Sequence, residues 1–199
     1  QVNAGIKIQG GGGRWEEGYY DPKQSFSLLF DPVFEGPGRL RHRFFASAPL
    51  NSDSDPAEYN RLILRAGHNK SWPGPGPNLR ETTVYARDEY FRAAQIELSG
   101  AGTSAHGTFV HLYLNGLYWG LYNPVERPDA DFGAEYFGGE AEDYDAINRR
   151  TTTNEAIDGD LVAYEEMLAL ADTDLSTPEG YEAIQGYLNL EDLVDYMLI

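Results

Sequence analysis

Hydrophobic and polar positions alternate most clearly between residues 109 and 128. Val110, Leu112 and Leu114 interleave with Phe109, His111 and Tyr113, Asn115-Gly116 follows, and residues 117–122 return as a partner run. A period of two is the mark of a strand, and Asn-Gly supplies both positive-φ positions of a type I′ turn, so a tight β-hairpin is expected. Shorter runs at residues 5–9, 25–30, 40–45 and 61–65, separated by Gly, Pro and Asp/Asn clusters, predict four more strands. Ahead of the hairpin the period lengthens. Val84, Phe91, Ala94 and Leu98 fall near helical spacing over residues 81–98, with Glu81 in the first turn and Ser99-Gly100 as the exit. Strands, one helix and a closing hairpin make a sheet with a helix packed on it. Residues 71–77, SWPGPGP, are too rich in Pro and Gly for either element and predict an exposed loop.

After Asn123 the pattern becomes helical. Leu161, Tyr164, Leu168 and Ala171 form one face. Ser176-Thr177-Pro178-Glu179 has the form of a capping box before a helix carrying Tyr181, Ile184 and Leu188, and Leu190, Leu193, Val194, Met197 and Leu198 make a third stripe. That stripe reaches Ile199 without a Gly, Asn or basic C-cap, which predicts a chain that continues; the missing initiator Met predicts a leader or upstream domain. No internal repeat or low-complexity segment is present.

Composition narrows the class. With 199 residues and 41% hydrophobic content the chain can bury a real core. No apolar run approaches the roughly 18 residues of a membrane span, and no basic segment leads into an apolar signal region. Zero cysteines exclude disulfides, thiolate metal sites and cysteine nucleophiles. The net charge of −17 is unevenly placed: residues 1–127 carry 13 Lys+Arg against 13 Asp+Glu, and residues 128–199 carry 2 against 19. Phosphate backbones need a basic surface, so a nucleic-acid partner is disfavoured. The acidic part reads either as a solvated surface or as a docking face for a basic partner or cations.

Several stretches carry candidate chemistry. Gly10, Gly11, Gly12 and Gly13 followed by Arg14 close a strand, as a flexible turn does, and as a phosphate-covering loop does when its N–H groups approach anionic oxygens. No GxxxxGK[ST] pattern occurs, which excludes a P-loop ATPase. Arg65 and Arg87 either contact phosphate or pair with neighbouring acids. Tyr118, Trp119 and Tyr122 read as packing residues rather than a stacking platform for a ligand. Residues 129–140 place acids at EF-hand positions, but Ala134 stands where that turn needs Gly. His42, His68, His106 and His111 lack zinc spacing, His111 reads as a polar-face strand residue, and no GxSxG nucleophile motif appears.

The hairpin and its exit, YLNGLYWGLYNPVERPD from Tyr113 to Asp129, resemble the CotH kinase family of spore coat protein H-like atypical protein kinases, whose pattern runs YLNGxYWGLYNLxERxD. The chain departs from it at Pro124, where the family has a residue that keeps its N–H. GIKIQG from Gly5 resembles the family's GIRIRG, PKQSF from Pro22 its PKKSF, LILRAG from Leu62 its LILRNG, and Arg87-Asp88-Glu89 its RDE.

The resemblance implies an α+β, protein-kinase-like fold. Residues 1–122 would form a β-rich nucleotide-gripping lobe, 123–128 a hinge, and 129–199 the acidic, helical start of a second lobe. It implies ATP with Mg or Mn as cofactors. Gly10, Gly11, Gly12 and Arg14 would cover the phosphates, Lys23 would reach the α/β-phosphates, and Asp88 or Glu89 would hold that lysine from the helix. Arg65 would serve as a phosphate contact. Glu126 would sit at the hinge and meet ribose or a metal-bound water, its bland alternative being a salt bridge with Arg127 or another Arg. The family's metal-binding aspartates lie after the helix similar to residues 189–199, in segments similar to GNxDWPxNN and WDxD; neither occurs here, so the resemblance implies no catalytic residue within this chain and places them beyond Ile199. The expectation is a fragment of a bacterial, extracellular or cell-surface kinase acting on Ser or Thr of a protein, with a basic protein as one candidate substrate, and inactive by itself. A non-catalytic surface, coat or adhesion-type module, or a nucleotide-binding protein that transfers another group, stand as alternatives.

Overall fold

The computed structural model describes residues 1–10, 23–42, 44–45, 58–67, 83–149 and 153–199. The loop at 71–77, Gly11 to Arg14, His68 and Glu81 lie outside them. The elements are β1 (Gly5–Gln9), β2 (Ser25–Leu29), β3 (Leu40–Arg41), β4 (Glu58–Tyr59), β5 (Arg61–Arg65), α1 (Arg87–Ser99), β6 (Val110–Leu114), β7 (Leu117–Glu126), α2 (Ala130–Phe137), β8 (Ala146–Arg149), β9 (Asn154–Asp158), α3 (Val162–Ala171), α4 (Pro178–Gln185) and α5 (Leu190–Leu198). The class is α+β. No described helix is long and apolar enough to cross a membrane. Packing divides the chain into a first unit, Gln1–Ala94 with Ser104–Arg127, and a second, Gln95–Thr103 with Pro128–Ile199.

In the first unit five strands form an antiparallel sheet in the order β1-β2-β5-β7-β6. Strand β5 lies at its middle, and Leu62, Ile63 and Leu64 are buried in succession, as a strand covered on both faces requires. Leu62 packs with Phe30, Phe45 and Tyr59, and Leu64 with Ala66 and Tyr122. At Asn115 and Gly116 φ is 50° and 79°, the two positive values of the expected type I′ turn. A register shift between Leu112 and Tyr113 pairs Leu112 with Gly120 but Tyr113 with Tyr118, so Trp119 is the extra residue of a β-bulge.

Three boundaries differ from the sequence pattern. Strand β3 covers only Leu40–Arg41 of the expected run. Helix α1 starts at Arg87, because Val84 and Arg87 close a turn through Arg87 N–H to Val84 O and Tyr85 is drawn to the sheet. Strand β7 runs to Glu126, since residues 123–126, read as hinge, pair with β5 from Arg65↔Asn123 to Leu62↔Glu126.

In the second unit Asp129 caps α2 by accepting from Phe132 N–H at 3.2 Å. Thr177, not Ser176, caps α4, accepting from Gly180 N–H at 3.1 Å, while the Ser176 hydroxyl donates to Asp174. Asn189 caps α5. Tyr187 ties the end of α4 to Glu166 on α3, and Asp195 on α5 accepts from Ser99, the last residue of α1. The β8–β9 hairpin interrupts what the sequence pattern presents as helices alone. Each of its strands has one Ile beside one Ala and otherwise polar or charged residues, too weak an alternation to stand out.

Candidate functional site

Lys23 lies just ahead of β2, after the glycine run. Its Nζ donates to the Leu121 carbonyl oxygen and, at 3.2 Å, to the Tyr85 hydroxyl, and it lies 4.9 and 4.7 Å from the ring centroids of Tyr85 and Tyr122. The bulge makes this approach possible. Gly120 has φ 129°, and a Cβ there would lie 3.2 Å from Lys23 Cε. Tyr85 donates to the same Leu121 carbonyl at 2.6 Å, and burial, with Tyr118 adding to it, pushes its phenol up to about 12. Tyr122 is fully buried, stacks on Phe26 and donates to Gln24 O at 2.8 Å. Of the glycine run, Gly10 has φ 105° and no neighbour among the described residues within 4 Å of where a Cβ would stand, and Gly11, Gly12, Gly13 and Arg14 lie outside the described residues.

The helix carboxylates turn to arginines rather than to Lys23. Asp88 pairs with Arg65 at 2.5 Å. Burial lowers the Arg65 guanidinium from its ordinary value, against the opposing pull of Asp88. Glu89 accepts from Arg92 at 2.6 Å and from the Asn123 amide at 2.7 Å, and Arg92 also donates to Asn123 Oδ1 at 2.6 Å. Successive helical residues point about 100° apart, so Asp88 faces the end of β5 while Glu89 faces β7. Each meets a guanidinium, whose fork of donors suits a carboxylate. Arg87 is the first residue of the same helix.

Glu126, expected at the hinge between sheet and helices, is the last residue of β7 and is 3% exposed. Its Oε2 accepts from His106 N–H at 2.7 Å and lies 3.1 Å from His106 Nδ1. His106 in turn stacks on Phe45. The reason is register: Glu126 N–H donates to His106 O, which holds segment 106–108 beside the strand. Tyr118 and Trp119 are 55% and 44% exposed, not packed as their residue types suggest; Tyr118 meets His111 and Tyr113 on the open face of the hairpin.

Pro124 stands in a strand with neighbours on both sides. Thr108 N–H donates to Pro124 O at 3.1 Å, and an ordinary residue at 124 would return a bond to Thr108 O. Proline has no N–H to return, and the Asn123 amide supplies it at 2.6 Å. Tyr85, Arg92, Asn123 and His106 are therefore parts of this region that the sequence reading did not select. Only Arg92 left a local signal, three residues after Glu89 on one helix.

A cavity of about 780 Å³ lined in part by Arg39, Arg41, His42 and Glu58 shares no residue with the Lys23 cluster. Among the described residues no group of three or more His, Asp or Glu is placed to hold a metal ion. The model of the CotH kinase protein family matches residues 93–199, more than half of the chain. No curated protein and no solved structure matches. The match starts after Lys23, Arg65, Asp88 and Glu89, and it takes in the hairpin with Asn123, Pro124 and Glu126. By that match the chain belongs to the CotH kinase protein family.

Proposed function

We propose that the Lys23 corner of the first unit binds the phosphates of ATP, in a CotH-type kinase that passes the γ-phosphate to Ser or Thr of a protein. The observation that carries this reading is the setting of Lys23. Its ammonium donates to a backbone carbonyl and a phenol and lies over two tyrosine rings, ahead of β2 and later in the chain than the glycine run. Arg65, steadied by Asp88, is the second cation of the region. Gly10, Gly11, Gly12 and Arg14 cover the phosphates in this reading, and Glu126 acts from within by holding segment 106–108. In this reading Mg or Mn arrives bound to the triphosphate. The acidic charge of residues 128–199 suits a basic protein acceptor, and the family resemblance favours a bacterial setting at the cell surface or outside it.

A second reading has its own support. Asp88 and Glu89 are each paired with an arginine and neither meets Lys23, as suits a non-catalytic binding module. Calorimetry of the 199-residue chain with ATP and magnesium separates the two. Binding is expected, weakened about tenfold or more in Lys23→Ala, the scale of one lost charge-assisted contact. Equal affinity in the variant removes Lys23 from the site, and no binding by the parent chain moves the function to the module. Radiolabelled transfer to a basic protein is expected to be absent for these residues alone; its presence would place the catalytic groups among them.

A further inference from the structure

We propose that Asn123 is a positioning residue for the Lys23 site: its amide replaces the N–H that Pro124 lacks and, from the same nitrogen, docks Glu89 and the start of α1 onto β7. The inference rests on the nucleotide reading only for what the site binds. The geometry is local. Asn123 Nδ2 donates to Thr108 O at 2.6 Å and to Glu89 Oε2 at 2.7 Å, and its Oδ1 accepts from Arg92 at 2.6 Å, so every polar atom of the side chain is used. Asn123 is 6% exposed, where a lost partner is not replaced by bulk water. Segment 106–108 leaves room for this, since a Cβ at Gly107 would run into Glu89 Oε2.

The connection to Lys23 runs along β7 and back through the helix start. Two residues before Asn123, the Leu121 carbonyl accepts from both Lys23 and Tyr85. Tyr85 lies two residues before α1, and Glu89 lies in its first turn. The start of the helix is thus tied to β7 at two points, Tyr85 on Leu121 and Glu89 on Asn123, with Arg92 bracing the second. One of the two ties is itself a wall of the lysine's seat. Releasing the other lets the helix start shift and carries Tyr85 away from Lys23. A backbone N–H at position 124 satisfies Thr108 but cannot reach Glu89 as the amide does, so the two tasks of Asn123 can be separated.

The test uses the 199-residue chain with Asn123→Leu, and with Asn123→Leu combined with Pro124→Ala, which restores the strand's own donor. Two signals are read: the nuclear Overhauser contact between the Lys23 side chain and the Tyr85 ring, and the affinity for ATP with magnesium. The double variant is expected to regain part of the melting temperature lost by the single one, the part owed to Thr108, yet to lose the Lys23–Tyr85 contact and bind ATP about tenfold more weakly than the parent. Gly107→Ala, which displaces the Glu89 carboxylate and leaves Asn123 in place, is expected to lose the same contact. Parental contact and affinity in the double variant would show Asn123 to be a stand-in for a backbone donor and nothing more, and would overturn the proposal. A parent chain that binds no ATP sinks the nucleotide reading alone, because the Lys23–Tyr85 contact still decides what Asn123 positions.

Discussion

The carboxylate of Glu126 takes the backbone N–H of His106 at 2.7 Å while the Glu126 N–H donates back to His106 O at 3.1 Å, so one residue closes the segment onto β7 with both its main chain and its side chain. Glu126→Ala leaves the His106 N–H without this acceptor in a place 5% exposed, at an expected cost of about 1–3 kcal/mol. Thermal unfolding should show a fall of several degrees, with a smaller fall for Glu126→Gln, which keeps an acceptor oxygen. An unchanged melting temperature for the alanine variant would mean that the pair is not holding the segment.

The Asn115-Gly116 turn is expected to be structural and not catalytic. Gly116 has φ 79°, and a β-branched side chain there is strained whatever room it has. Gly116→Val should cost about 1–3 kcal/mol with no change in the residues that contact a ligand. Denaturant unfolding checks it, and a variant as stable as its parent would refute the role given to the turn.

Alkaline pH should loosen the first unit through Tyr85. Its phenol titrates at about 12 in the folded chain, chiefly because of burial, against an ordinary value of 10.0. A raised folded value means the unfolded chain releases its proton first. The contribution is therefore intact below pH 10 and fades as pH rises toward and through about 12. Urea unfolding between pH about 9 and about 11 should show the parent losing stability faster than Tyr85→Phe, which has no proton to lose. Parallel pH curves would dismiss the Tyr85 contribution.

Local chemistry was readable where neighbours in sequence are also neighbours in space. Residues 5–9 and 61–65 alternate or run apolar over the length of the strands they form, and Asn115-Gly116 names its own turn type. The stripes in 161–171 and 190–198 mark α3 and α5. What could not be read there is which group each charge meets. Asp88 and Glu89 are adjacent in the chain, and whether either faces Lys23 depends on how α1 is rotated on the sheet. Glu126 looked like a hinge residue because its partner, His106, is twenty residues away.

The sequence by itself determined the α+β class, the hairpin, the acidic second part and the resemblance to a family that a match over residues 93–199 now supports. These are matters of period, composition and short motifs, which the chain carries locally. Only the tertiary structure decided that β7 continues through Pro124, a residue that local rules assign to an edge or a break. The missing N–H is supplied by the side chain of Asn123, and that side chain reaches Thr108 and Glu89 only after β7, segment 106–108 and α1 have come together. A hydrogen bond of that kind has no local signature, because its partners share nothing but a place in the folded chain.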